Sequence, residues 1–105
     1  MVIRMVRKVP RGSFDHGSKS GIGVTAVVLS STPIDAKRGV LIKAASANSG
    51  IVYVGTNSAV TADSNDTSDG FPLSAGDSVE IEIDDAAGIF LIASEAGQKV
   101  FWIGV

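Results

Sequence analysis

The chain has 105 residues, 45% of them apolar, no cysteine and a formal net charge of -2. That length suits one domain with one core, and the lack of cysteine excludes disulfides and thiolate metal sites. No apolar run nears the roughly 18 residues a membrane span needs, and the opening M-V-I-R-M-V-R-K-V-P-R lacks the form of a signal peptide, so a soluble protein used without export is expected.

Charge is split along the chain. Up to Lys43 stand eight basic residues, Arg4, Arg7, Lys8, Arg11, Lys19, Lys37, Arg38 and Lys43, against Asp15 and Asp35, a net +6. Beyond it nine acids face Lys99 alone, a net -8. A basic end on an acidic body marks an arm for an acidic partner, whether another copy, a larger assembly or a nucleic acid. The plainer alternative is an arm that folds back on its own body.

Residues 1–21 read as an extended basic N-terminal arm. The apolar residues of Val2–Val9 keep no clean period of two, and Pro10, Gly12, Gly17, Ser18, Ser20 and Gly21 break any regular element. Residues 22–105 read as the folded domain. Ile22–Ser30 is rich in β-branched residues and has no helix cap, which predicts a strand; a loop around Pro33 follows. Gly39–Gly55 then predicts a β-hairpin, with strands Val40–Ala45 and Ile51–Val54 around the turn-formers Ser46, Asn48, Ser49 and Gly50.

Thr56–Val60 is expected to add a short edge strand, and the polar run T-A-D-S-N-D-T-S-D-G a surface loop. Phe71-Pro72-Leu73 re-enters the core, and Ser74–Asp77 turns into the clearest strand, S-V-E-I-E-I-D. There Val79, Ile81 and Ile83 alternate with Glu80, Glu82 and Asp84, placing aliphatics on one face and acids on the other. Ile89–Ala93 reads as a central strand covered on both sides, Glu95–Gln98 as a turn, and Lys99–Val105 as the last strand.

Short strands every eight to twelve residues, with no sustained helical period, predict an all-β chain. The expected architecture is a single-domain antiparallel β-sandwich or small barrel, jelly-roll-like, carrying the extended arm. Strands 40–45, 89–93 and 100–105 have apolar residues on both faces. A domain this small cannot cover all of them alone, so a homo-oligomer is expected.

Few residues suggest chemistry. Gly12–Ser20 resembles a phosphate loop, but Ser18 intervenes before Lys19 and no helix follows. Asp63, Asn65, Asp66 and Asp69 offer oxygen ligands for calcium, yet Ser68 and Ser74 stand where an EF-hand needs glycine and an acid; a looser calcium site and a solvated loop both remain open. The sequon Asn65-Asp66-Thr67 has no export signal to give it meaning. His16, beside Asp15, has no cysteine or nucleophile elbow to activate. Glu80, Glu82 and Asp84 are like charges along one wet face rather than acids opposed across a cleft. Tyr53, Phe101 and Trp102 read as core or subunit-interface anchors, with an aromatic platform for sugar or single-stranded nucleic acid as the other option. Nothing supplies an activated nucleophile or a matched acid–base pair, so no enzyme and no cofactor are expected.

From Gly39 onward the order of parts resembles a family of small structural proteins of tailed bacteriophages. The parts are G-V-L-I-K-A, A-N-S-G-I-V-Y-V-G, a polar loop, G-F-P-L-S-A-G-D-S-V-E-I-E-I, I-F-L-I-A-S and G-Q-K-V-F-W-I-G-V. The resemblance covers about two thirds of the chain, is one of turns and strands, and leaves out the arm. It implies a virion component on the capsid surface, a decoration or cement protein acting as a homotrimer on the major capsid protein, with no nucleic-acid or membrane partner. In that setting Arg4, Arg7, Lys8 and Arg11 would contact the capsid or a neighbouring subunit. A head–tail or tail-fibre accessory protein, or a carbohydrate-binding sandwich using Trp102 or Tyr53, are the alternatives.

Overall fold

The structure, a computed structural model, describes residues 14–31, 39–65, 67–83 and 86–104. Among the described residues eight strands run in order: β1 (Asp15–Ile22), β2 (Val27–Val28), β3 (Val40–Ala44), β4 (Val52–Gly55), β5 (Phe71–Leu73), β6 (Ser78–Ile81), β7 (Phe90–Ala93) and β8 (Gln98–Gly104), with one 3₁₀ turn at Ala86–Gly88. They form two four-stranded sheets. Sheet I has the order β1-β8-β3-β6 and sheet II the order β2-β7-β4-β5, with every strand pairing antiparallel.

The pairings follow one rule: β1 with β8, β2 with β7, β3 with β6 and β4 with β5. The chain is thus one long antiparallel hairpin wound over itself, with β4 and β5 adjacent in sheet II at its tip and the other successive strands alternating between sheets. That is a jelly roll, and the all-β sandwich expected from the strand spacing is the fold observed.

Alternation within each strand builds the core. In β3, Val40, Ile42 and Ala44 are buried and Leu41 and Lys43 exposed. In β8, Val100 and Trp102 point inward and Phe101 outward. Ile22, Leu29, Val52, Val54, Leu73, Ile89, Leu91 and Ala93 complete the layer between the sheets. Each fully buried aliphatic side chain there contributes about 1.5–3 kcal/mol. Ile92 and Tyr53 face the other side of sheet II, where Val60 packs on them from the 56–70 loop, so the central strand β7 is covered on both faces within one chain.

Four sequence expectations change. Ile22–Ser30 is not one strand: β1 ends at Ile22 and only Val27–Val28 form β2. The Gly39–Gly55 hairpin does not form: β3 lies in sheet I between β8 and β6, and β4 lies in sheet II between β7 and β5. Residues 45–51 are a crossing between sheets, and their seven residues exceed the two to five usual in a hairpin loop. The arm expected over residues 1–21 gives way at Asp15, where β1 begins and pairs with β8. Between Lys19 and Ile22 the pairing slips by one residue, and Gly21, at φ 68°, takes the left-handed conformation of the bulge. The slip turns Ile22 into the core, where it is fully buried. Thr56–Val60 forms no strand but the start of the covering loop.

Candidate functional site

The outer face of sheet I is the most distinctive surface among the described residues. Register sets its rows. His16, Ile103, Leu41 and Glu80 lie side by side across β1, β8, β3 and β6, and Ser18, Phe101, Lys43 and Ser78 form the next row. Leu41 and Phe101 are 40% and 46% exposed, large values for apolar residues in the middle of a sheet. With Ile103 and Lys43 they bound a shallow hollow of about 210 Å³. The Lys99 ammonium stands 4.9 Å from the centre of the Phe101 ring, a cation–π contact that keeps one ring face shielded while leaving the patch accessible. An apolar centre rimmed by Lys43, Lys99 and Glu80 has the anatomy of a contact surface.

The three aromatic candidates separate. Tyr53 is buried under the 56–70 loop with Val60 and Ile92. Trp102 is buried between the sheets, its indole lying across Gly17 so closely that a Cβ there would come 2.6 Å from Cζ2. Phe101 alone is exposed. No shared aromatic platform exists, so the sugar-stacking arrangement that would use Trp102 or Tyr53 has no surface to act on.

The crossing at 45–51 is held by side-chain amides. Asn48 donates from Nδ2 to the carbonyl of Lys99 at 2.8 Å and accepts from the Lys99 N–H at 2.9 Å. Gln98, 1% exposed, accepts from the Gly50 N–H at 2.8 Å and donates to Ser49 Oγ and to the Ala96 carbonyl. Ser49 Oγ donates to Glu95 at 2.6 Å. These bonds tie the crossing to the start of β8 and to the turn before it. Sequence reading singled out Asn48 only as a turn-former and missed Gln98, whose amide sits one residue after a glycine turn with no periodic signal to mark it.

The acidic loop is organised from within. The Asp69 carboxylate accepts from Ser64 Oγ at 2.7 Å, the Ser64 N–H at 3.0 Å, Thr61 Oγ1 at 2.8 Å and the Asn65 N–H at 3.0 Å. These bonds, those from Ser64 first, hold its carboxyl well below the ordinary range. The oxygens of Asp69 thus serve the loop itself. Asp63 and Asn65 are exposed, and Asp66 lies outside the described residues. Among the described residues no group of three or more His, Cys, Asp or Glu side chains is placed to hold a metal ion.

The remaining candidates lie apart. Asp15 and His16 are exposed at the start of edge strand β1, and Gly17–Ser20 are part of that strand rather than of a phosphate loop. Glu80 and Glu82 are exposed, while Asp84 and the basic residues Arg4, Arg7, Lys8 and Arg11 lie outside the described residues. No family model, curated protein or solved structure matches the chain.

Proposed function

We propose that the chain is a non-enzymatic structural protein of a phage virion, a capsid decoration or cement protein that acts as a homotrimer on the major capsid protein. One observation carries this reading: the apolar patch of exposed Leu41 and Phe101 with half-buried Ile103 on the outer face of sheet I. It is flat, apolar at its centre and charged at its rim, the form of a surface that docks on another protein rather than one that encloses a substrate. The jelly roll adds support, being an architecture used by capsid and lectin domains, although a fold alone assigns no function. The resemblance from Gly39 onward points the same way. In this reading sheet I faces the shell or a neighbouring copy, and the basic segment with Arg4, Arg7, Lys8 and Arg11 takes an acidic surface beside it.

The test is co-sedimentation of the purified protein with expanded phage shells that lack it. Saturable retention that falls on substitution of Leu41 and Phe101 by serine supports the reading. Retention on no shell, by protein that is folded, overturns it.

A further inference from the structure

Between the edge strands β5 and β6, at the ends away from the turn that joins them, the core is left open. Val79, Ile81 and Ile83 are only half-buried there, and Phe71 is 58% exposed at the lip. With Val54 and Ile89 they line a cleft of about 240 Å³. β6 ends sheet I, so among the described residues no strand pairs with its outer edge. Glu80 and, just past the strand, Glu82 are exposed along it.

We propose that this edge and the cleft behind it receive an extended strand from a second copy of the chain, the segment Val2–Val9. The chemistry selects that occupant. An aliphatic floor edged by carboxylates suits aliphatic residues interspersed with cations. V-I-R-M-V-R-K-V supplies Val2, Ile3, Met5, Val6 and Val9 with Arg4, Arg7 and Lys8, and no acid. Two β6 edges pairing with each other would instead bring like carboxylates together.

Register argues for a second copy. Asp15 and Val40 both pair with Gly104, and Val40 also pairs with Ile81. The start of β1 and the end of β6 therefore lie at the same end of sheet I, on opposite edges. A strand added beyond β6 lies four strand spacings from β1, about 19 Å. Coming from its own β1, the segment would enter at that end and run parallel to β6. Every strand pairing among the described residues is antiparallel, which is also the more stable arrangement. Antiparallel placement puts residue 9 at the far end of β6, roughly 23 Å from Phe14, beyond the approximately 18 Å that five extended residues span. A neighbour's segment has no such limit. Donor and acceptor surfaces then differ, so the exchange is either reciprocal within a dimer or heterologous from one copy to the next. The inference rests on the homo-oligomer of the proposed function, but not on its capsid partner.

The test uses the full chain. Isotope-labelled and unlabelled protein are refolded together and treated with a carbodiimide, which joins carboxylates directly to amines. The expected products link Lys8 of one isotope to Glu80 or Glu82 of the other. In light scattering at micromolar concentration, removal of residues 2–9 and, separately, the double substitution Glu80→Lys with Glu82→Lys abolish the oligomer while the β-sheet circular dichroism persists. Links confined to one isotope, no link between these residues, or an oligomer unchanged by removal of residues 2–9 overturns the proposal. None of these measurements involves a shell, so failure to bind shells leaves this result standing and bears on the capsid reading alone.

Discussion

The side-chain amide of Asn48 bonds both backbone groups of Lys99, its Nδ2 donating to the carbonyl and its Oδ1 accepting from the N–H. It thereby continues the β3–β8 ladder past Ala44, the last paired residue of β3, and fixes where the chain leaves sheet I for sheet II. Asn48→Ala removes both bonds and leaves the partly buried Lys99 N–H without this partner. A loss of about 1–3 kcal/mol is expected, read as a lower urea midpoint with an unchanged slope.

Trp102 and Gly17 give a second prediction. Ile42 flanks the indole on one side and Gly17 on the other, and the ring occupies the space a side chain at 17 would need. Gly17→Ala forces the ring or the edge strand to move, at about 1–3 kcal/mol. Because Trp102 is the only tryptophan, its fluorescence reports the shift directly, and a red-shifted emission is expected.

The Asp69 loop predicts a pH dependence. Its carboxyl, ordinarily near 3.8, is held lower in the folded chain by the bonds from Ser64, Thr61 and Asn65. A group with a depressed folded value contributes its stabilisation in full above the unfolded value and loses it as the pH falls through the folded one. The loop should therefore stay ordered from neutral pH to about 4 and loosen only in stronger acid. Amide exchange at Ser64 and Asn65, corrected for the intrinsic effect of pH, checks this. In Asp69→Asn, faster exchange at both residues is expected already at neutral pH.

Leu41 and Phe101 separate folding from docking. Both side chains are exposed on the outer face of sheet I, so Leu41→Ser with Phe101→Ser should change stability by no more than about 0.5 kcal/mol per site. Retention on shells should fall at least tenfold. A large fall in stability would mean that the patch belongs to the fold rather than to a partner.

The two-sidedness of the strands was legible, but not what covers them. V-E-I-E alternates in the sequence as β6 does in the fold, and the S-A-G-D turn forms as read, with the Asp77 N–H bonded to the Ser74 carbonyl and the Asp77 side chain to the Ser74 N–H. The false hairpin shows the limit. Asn48, Ser49 and Gly50 serve a sheet crossing as well as a tight turn, and only pairing with β8, more than fifty residues away, distinguishes the two. Length was the missed signal. Likewise, the apolar strand 89–93 suggested burial against another subunit, whereas Val60, from a loop expected to hold an edge strand, covers Tyr53 and Ile92 within the same chain. For the surface patch, strands 40–45 and 100–105 read as apolar on both faces, but the pairing of Leu41 with Ile103 and of Lys43 with Phe101 depends on non-local register.

The proposed role of the chain as cement for a shell is tested by heating shells with and without it. Saturating protein should raise the temperature at which expanded shells come apart by several degrees, since a ligand that binds only the assembled state stabilises it. An unchanged disruption temperature, with the protein demonstrably bound, would rule out a cementing role.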